Sequence, residues 1–378
     1  MKIKIKIKKI LRIIVRFRHG IKIKRHYEMI MKKNHYPNVK KQGEKEWLEK
    51  WSVFGGKKRD LLLQYRLFYD YIGADINIVP EDICHDVIEP LLNPFRYCKY
   101  YADKNAFEKI IPGEYLPKTI LRRMNGFYYD VNYHPISFNE EKLTELLNLS
   151  SGKIILKPSV GGSSGRNVMM FCVNGDLWLD YYGQIKLTTD FLDHYNDDFV
   201  IQDALKQSQY MNQFNHTSIN TLRLTVYRSV KTDKCHVISG IMRIGNNGVV
   251  VDNAHSGGKF IGIRKDGTLC DFVSDQYGVR FNKFNGIDFS ISQFRIPNYQ
   301  KVVDFAKMIG SYIPHHRLLA LDIALNENNM PVLIEFNVEY YSMWLFQFTV
   351  GPALGDFTDE IVDYCKSKID DIEYCMYF

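Results

Sequence analysis

Residues 318–337 constrain the chain more tightly than any other stretch. They read Leu-Leu-Ala-Leu-Asp322-Ile-Ala-Leu, an Asn-rich turn, then Pro-Val-Leu-Ile-Glu335-Phe-Asn337. Two apolar runs around a turn predict a buried β-hairpin. If Leu325 pairs with Val332, then Asp322 pairs with Glu335, and Asn337 falls on the same face two residues on. Two carboxylates buried side by side are costly unless something compensates them. One solution is a divalent cation. The all-oxygen set of Asp322, Glu335 and Asn337 suits Mg²⁺, which takes its other ligands from water and phosphate. The other solution is a salt bridge or cap supplied by the protein.

A second hairpin carries the complementary chemistry. Gly152-Lys-Ile-Ile-Leu-Lys157-Pro leads to Gly161-Gly162-Ser163-Ser164-Gly165, and Val168–Val173 follow as a second strand. Glycines let backbone N–H groups approach phosphate oxygens, Ser163 and Ser164 add hydroxyl donors, and Lys157 adds a positive charge. A Walker loop has its lysine after the glycines, and a dinucleotide fingerprint runs into a helix. Neither order is found here. A loop without chemistry is the alternative reading of this hairpin alone.

Of the 378 residues 46% are hydrophobic, enough for more than one core. The net charge of +7 is unevenly spread. Residues 1–33 carry nine Lys, four Arg and one Glu, +12 on their own, so the remainder sums to −5. A mildly acidic body argues against nucleic-acid binding. The basic segment opens with Lys/Ile alternation, a strand period, then spaces Ile10, Ile13, Ile14, Phe17 and Ile21 as a helix does. It suits either an anionic membrane surface or a terminal element docked on the body. No apolar stretch is long enough to span a bilayer, and no secretory signal is expected. Seven scattered cysteines without C-x-x-C indicate neither a disulfide framework nor a zinc site, and fit a reducing, cytoplasmic setting.

Residues 44–115 carry helical apolar stripes, whereas short β-rich runs dominate from residue 152, with helices expected at 300–309 and 358–368. The pattern is α+β with antiparallel hairpins, not regular βαβ alternation. Expected boundaries are a basic amphipathic segment 1–33, a mainly helical region 34–115, the α+β domain 116–345, and a C-terminal helix within 346–378.

Together these features resemble the ATP-grasp superfamily, whose fold holds ATP between two α+β subdomains. Asp103-Lys104-Asn105 followed by Leu116-Pro117 is similar to the family's Asp-Lys…Pro pattern, with Lys104 implied at the α-phosphate. Lys157 resembles the second phosphate lysine, and 161–165 the phosphate loop. Phe199-Val-Ile-Gln202-Asp203-Ala204-Leu205 resembles the hinge strand that meets adenine through backbone groups, with Gln202 where relatives often carry Glu. Asn220-Thr221-Leu222-Arg223, Arg243 and the run 251–258 resemble the Arg…Arg…Asn…Gly-Gly succession of the ligases. The resemblance implies that Arg223 and Arg243 face the transferred phosphoryl group. It also implies that Asp322, Glu335 and Asn337 hold two Mg²⁺ ions with Glu335 bridging. Ala320 stands where many relatives have Arg, so either Arg223, Arg243 or Arg317 supplies that charge or the chemistry differs.

The asparagine strand and helical front look most like the sugar-transfer-associated branch, linked to cell-surface polysaccharide synthesis. The implied activity is ligation of a carboxylate to an amine or other nucleophile through an acyl phosphate, on a small-molecule or glycan acceptor. A kinase acting on a hydroxyl, or a membrane-tethered nucleotide-binding scaffold, fits the same motifs. The aromatics after Asn337 suit a sugar pocket or, more simply, core contacts. His315-His316 reads as surface.

Overall fold

The computed structural model describes residues 2–161, 165–250, 252, 257–291 and 293–372, with side chains described from residue 18 onward. Gly162, Ser163, Ser164 and His255 lie outside the described residues.

Six strands form one antiparallel sheet. They are β1 (Thr119–Met124), β2 (Phe127–Tyr129), β3 (Lys153–Pro158), β4 (Met169–Asn174), β5 (Leu177–Asp180) and β6 (Phe199–Asp203), in the order β2-β1-β6-β3-β4-β5. Alternating Ile154, Leu156, Ile120, Phe199 and Ile201 send one face inward. Leu143, Leu146 and Leu147 of helix Glu140–Leu147 and Leu192 of helix Thr189–Tyr195 close that core. Both helices begin at a side-chain cap: Asn139 accepts from the Lys142 N–H, and Thr188 from the Phe191 N–H.

A second antiparallel sheet contains β7 (Leu222–Arg228), β8 (Cys235–Ile244), β9 (Lys259–Gly262), β10 (Val273–Ser274) and β11 (Arg280–Phe281), then β14 (Leu318–Leu325) and β15 (Pro331–Asn337). Its order is β11-β10-β9-β8-β7-β14-β15, and β12 (Lys283–Phe284) with β13 (Ile287–Asp288) forms a separate small hairpin. All eight residues of β14 are buried, as a two-sided apolar run requires. On one face, Leu319, Leu321 and Ile323 meet helix Tyr299–Ser311 through its stripe Val302, Phe305, Ala306 and Ile309. On the other, Leu318 and Ala320 meet the helical front and the C-terminal helix Thr358–Lys368.

The front is anchored by buried polar groups with partners. The Trp47 indole donates to the Ile78 carbonyl at 2.7 Å, and Trp51 to that of Ile76 at 2.9 Å. Asn93 is a four-bond clamp. Its amide donates to the carbonyls of Leu318 (2.6 Å) and Val338 (2.7 Å), and its oxygen accepts from the Arg317 and Leu318 N–H groups. One side chain thereby ties the front to the start of β14 and to the residue after β15.

Two sequence expectations are corrected. The N-terminal segment is a single helix, Lys2–Lys33, so its opening Lys/Ile alternation does not form a strand. The helical spacing that starts at Ile10 prevails, and the second half is held by docking: Tyr27, Ile30 and Met31 are buried in the core of the front. In the 318–337 hairpin, Leu325 faces Pro331 and Ala324 faces Val332, one residue away from the expected register. A bulge between Asp322 and Ile323 absorbs the difference, and Asp322 still pairs with Glu335.

Candidate functional site

Four strands bring charge to one end of the second sheet. Across the ladder, Glu335 on β15 lies opposite Asp322 on β14, and Asp322 opposite Arg223 on β7. The same face carries Leu318 and Ala320 in the core beneath the helical front, so an apolar face turns polar at Asp322. Asn337, two residues beyond Glu335, brings its amide to 3.5 Å from Asp322 Oδ2, which agrees with the shared face.

Asp322 is almost fully buried and its charge is compensated by protein cations. Arg223 forms a fork on it, with Nε to Oδ1 at 2.8 Å and Nη2 to Oδ2 at 2.7 Å. Arg243 Nη1 adds a contact at 3.4 Å. Burial opposes ionisation of Asp322, yet the two guanidiniums hold its carboxyl well below the usual carboxylate range. The salt-bridge solution is therefore present at Asp322; Glu335, expected to be buried beside it, is only partly buried because β15 is the edge strand of the sheet. Arg317 takes no part: it reaches Asp233 at 3.0 Å and the Arg228 and Ser229 carbonyls at the far end of the strands. Of the three arginines, those of β7 and β8 are the ones beside Asp322.

The first sheet contributes Lys157, on β3 and buried. Desolvation, joined by repulsion from the Lys104 ammonium, pulls its pKa down to about 8, with Glu335 acting in the opposite direction. Lys104 itself is 3.6 Å from Glu335 Oε2. Its turn is built locally: Asp103 caps the Asn105 N–H, and the Lys104 N–H donates to the Ser159 carbonyl just past β3. Beneath it, buried Arg122 pairs with Glu108, and the Arg122 guanidinium donates to the Asn105 carbonyl. Lys104 and Lys157 thus converge on Glu335.

After β3 the chain turns at Gly161 (φ 74) and Gly165 (φ 69), left-handed conformations that glycine adopts without a Cβ clash. Asn167 follows with φ 59 and its carbonyl accepts from the Tyr195 hydroxyl. On β6, Gln202 is buried and donates to the Pro117 carbonyl and the Thr119 hydroxyl, each at 3.3 Å. The Asp203 carboxylate accepts from the Ser151 N–H and hydroxyl, and the Asp203 N–H donates to Lys118. Leu205 is half-buried just past the strand. Gln202 and Asp203 therefore have protein partners for their side chains.

Asp252 was not singled out by sequence reasoning. It accepts from the Thr221 N–H at 3.1 Å and from the Thr221 hydroxyl, and lies 4.0 Å from Arg243. Burial pushes its carboxyl above the ordinary value, against Arg243. Its signal was only its place in the run 251–258. Conversely, His316 is not at the surface: it is fully buried with its ring edge-on to Tyr101. Most aromatics after Asn337 are core, with Tyr341, Phe346 and Phe348 buried and Tyr340 exposed.

Among the described residues, no cluster of three His, Cys, Asp or Glu groups forms a metal site. The donor set that fits Mg²⁺ is mixed: the Glu335 carboxylate, about one third exposed, the Asn337 amide oxygen, and Asp322.

A family model described as sugar-transfer associated ATP-grasp matches residues 85–362. A search of curated proteins finds no match. Solved structures with distant likeness include an ADP complex of purK, N5-carboxyaminoimidazole ribonucleotide synthetase (13% identity, 68% of this chain and 52% of that one, TM-score 0.37). Another is N5-carboxyaminoimidazole synthase from Aspergillus clavatus with ADP and 5-aminoimidazole ribonucleotide (11%, 72% and 54%, TM-score 0.38). A third is D-cycloserine synthetase DcsG (10%, 74% and 73%, TM-score 0.39). The chain spans about half the length of the first two.

Proposed function

Because the chain belongs to the sugar-transfer associated ATP-grasp family, we propose that it is a Mg-ATP-dependent ligase joining a carboxylate to an amine or similar nucleophile. The observation that carries this reading is the convergence of Lys104 and Lys157 on Glu335, opposite the Asp322–Arg223 row. Cations suited to phosphates and carboxylates suited to a divalent ion stand near one another there.

In this reading Lys157 and Lys104 bind the phosphates. Gln202, Asp203 and Leu205 border the base, whose edge is met by backbone groups. Asp322, Glu335 and Asn337 would hold Mg²⁺, up to two ions, which supplies neutralising charge to the phosphates when bound. Arg243, with a side chain 21% exposed, is the freer guanidinium and meets the transferred phosphoryl group. Arg223 holds Asp322 in place and adds its field.

A substrate carboxylate oxygen attacks the γ-phosphorus, the bond to ADP breaks, and an acyl phosphate results. An incoming amine then attacks the acyl carbon, inorganic phosphate leaves, and the amine gives up a proton. The chain contributes position and electrostatics rather than a covalent group. We propose an acceptor belonging to cell-surface polysaccharide synthesis and a cytoplasmic setting, the latter supported by cysteines that are all free among the described residues.

The test is acceptor-dependent turnover of Mg-ATP with acidic sugars, nucleotide sugars and amino acids. A ligase releases both ADP and phosphate. Phosphate retained on the acceptor makes the chain a kinase. Failure of every acceptor, with Mg-ATP still bound, makes it a nucleotide-binding scaffold.

A further inference from the structure

The turn that carries Lys104 has little to hold it from within. Lys104–Ala106 is one 3₁₀ turn, and the helix after it, Phe107–Ile110, is a single turn. Elements this short do not stand on their own backbone bonds, so the place of Lys104 is fixed by what the segment touches. Two neighbouring residues contact different sheets. Phe107 stacks on Phe336 of β15, ring centres 4.5 Å apart, and Phe336 lies between Glu335 and Asn337 in the chain. Glu108 turns to the first sheet, where it pairs with Arg122 and accepts from the Thr119 hydroxyl at 2.6 Å.

Arg122 is fully buried. A buried ion pair is weak evidence for stability, since an apolar pair of similar volume often holds a core as well. Its bonds do have direction, and here they lead to the nucleotide residues. Arg122 Nη1 donates to the Asn105 carbonyl at 3.3 Å. The Tyr133 hydroxyl donates to the same carbonyl at 2.7 Å, and its ring centre lies 4.3 Å from the guanidinium. That carbonyl belongs to the residue after Lys104. On the other branch, the Thr119 hydroxyl places its one proton on Glu108, so toward Gln202 it can only accept, as the Pro117 carbonyl must. The Gln202 amide nitrogen therefore faces both. Bonds run without a break from Gln202 through Thr119, Glu108 and Arg122 to Asn105.

We propose that Glu108 and Arg122 are positioning residues: they hold Lys104 in line with the phosphates, and Thr119 makes the strand that borders the base part of the same unit. The role rests on the reading of Lys104 as a phosphate ligand.

The test is calorimetric titration of the full chain with Mg-ATP, Mg-tripolyphosphate and adenosine. Glu108→Gln keeps the shape and removes the charge that fixes Arg122. It should weaken Mg-ATP and Mg-tripolyphosphate about tenfold each and leave adenosine within about twofold. In a Lys104→Met chain, itself weakened toward both polyphosphates, the same substitution should add a loss below about twofold, because the lysine it positions is gone. Thr119→Val keeps both charges and the side-chain shape, and carries the test should Glu108→Gln not fold. It should weaken Mg-ATP about threefold, and that loss should vanish in Lys104→Met. Losses that add in full in the double variants would overturn the proposal. So would Glu108→Gln lowering the affinity for adenosine as much as that for Mg-ATP. A wild-type chain that does not bind Mg-ATP would overturn the proposed function and this role with it, whereas additive losses in a chain that binds Mg-ATP overturn this role alone.

Discussion

Lys157 makes nucleotide affinity depend on pH in a direction that can be worked out beforehand. Burial beside Lys104 lowers its pKa from 10.5 to about 8. That drop corresponds to roughly 3 kcal/mol of disfavoured charge. A polyphosphate placed against the ammonium favours the protonated form and raises the pKa again, so binding takes up a proton wherever free Lys157 is neutral. The affinity of the free chain for Mg-ATP is then flat below about pH 7.5 and falls as pH rises through 8, approaching tenfold per unit. Between about pH 7 and 9 the expected loss is near tenfold, because about one free molecule in ten still carries the proton at the upper value. Calorimetric titration at several pH values, in buffers of different ionisation enthalpy, reads both the affinity and the proton uptake. Lys157→Arg should flatten the profile, since a guanidinium stays charged throughout. Lys157→Met should bind weakly and flatly. Adenosine, which lacks phosphates, should show no slope. A wild-type profile without a slope, or the same slope in Lys157→Met, would refute the assignment of Lys157 to the phosphates.

Four further outcomes are expected. Arg223→Met leaves buried Asp322 with only the longer Arg243 contact and should cost about 3–5 kcal/mol in denaturant unfolding, whereas adding Asp322→Leu should recover much of it. Asn93→Ala breaks the four-bond clamp and should cost about 2–4 kcal/mol by the same assay; a loss below about 1 kcal/mol would show that the clamp is dispensable. Glu335→Gln should abolish the Mg²⁺-dependent gain in ATP affinity while leaving metal-free binding intact, and equal gains in variant and wild type would remove Glu335 from the metal set. Burial holds His316 down at about 4, so the unfolded chain binds its proton first and stability declines as pH falls from about 6.5 toward 4. His316→Phe should make melting curves less steep in that window.

The hairpin at 318–337 was legible because its chemistry is local. Apolar runs announced burial, and the short turn set Asp322 against Glu335 even though a bulge shifted the register near the turn. Helices 299–311 and 358–368 were legible for the same reason: their stripes repeat within the element. What the sequence left open was non-local. Asp322 meets Arg223 only because β14 pairs with β7, ninety-nine residues away in the chain, and no local pattern encodes that pairing. The choice among Arg223, Arg243 and Arg317 depended on it. Lys104 was visible only through resemblance, since its place follows from a bond between its N–H and Ser159. His316 was misjudged because adjacent histidines after a helix look solvated, whereas the ring of Tyr101 covers one of them. The Lys/Ile opening misled because two-residue alternation over a few positions competes with a helical stripe that runs much farther.

The internal pairing of Lys104 with Glu335, and of Asp322 with Arg223 and Arg243, has a consequence for selectivity. Each of these charges already has a mate. A lone anion would have to take a cation from its carboxylate, and a lone metal ion a carboxylate from its cation, stranding the partner in a poorly solvated place. A ligand that delivers a divalent ion and a polyphosphate together can exchange both sets at once. The cleft behaves as a coincidence detector: metal and nucleotide should each bind weakly alone and strengthen the other's binding by the same factor.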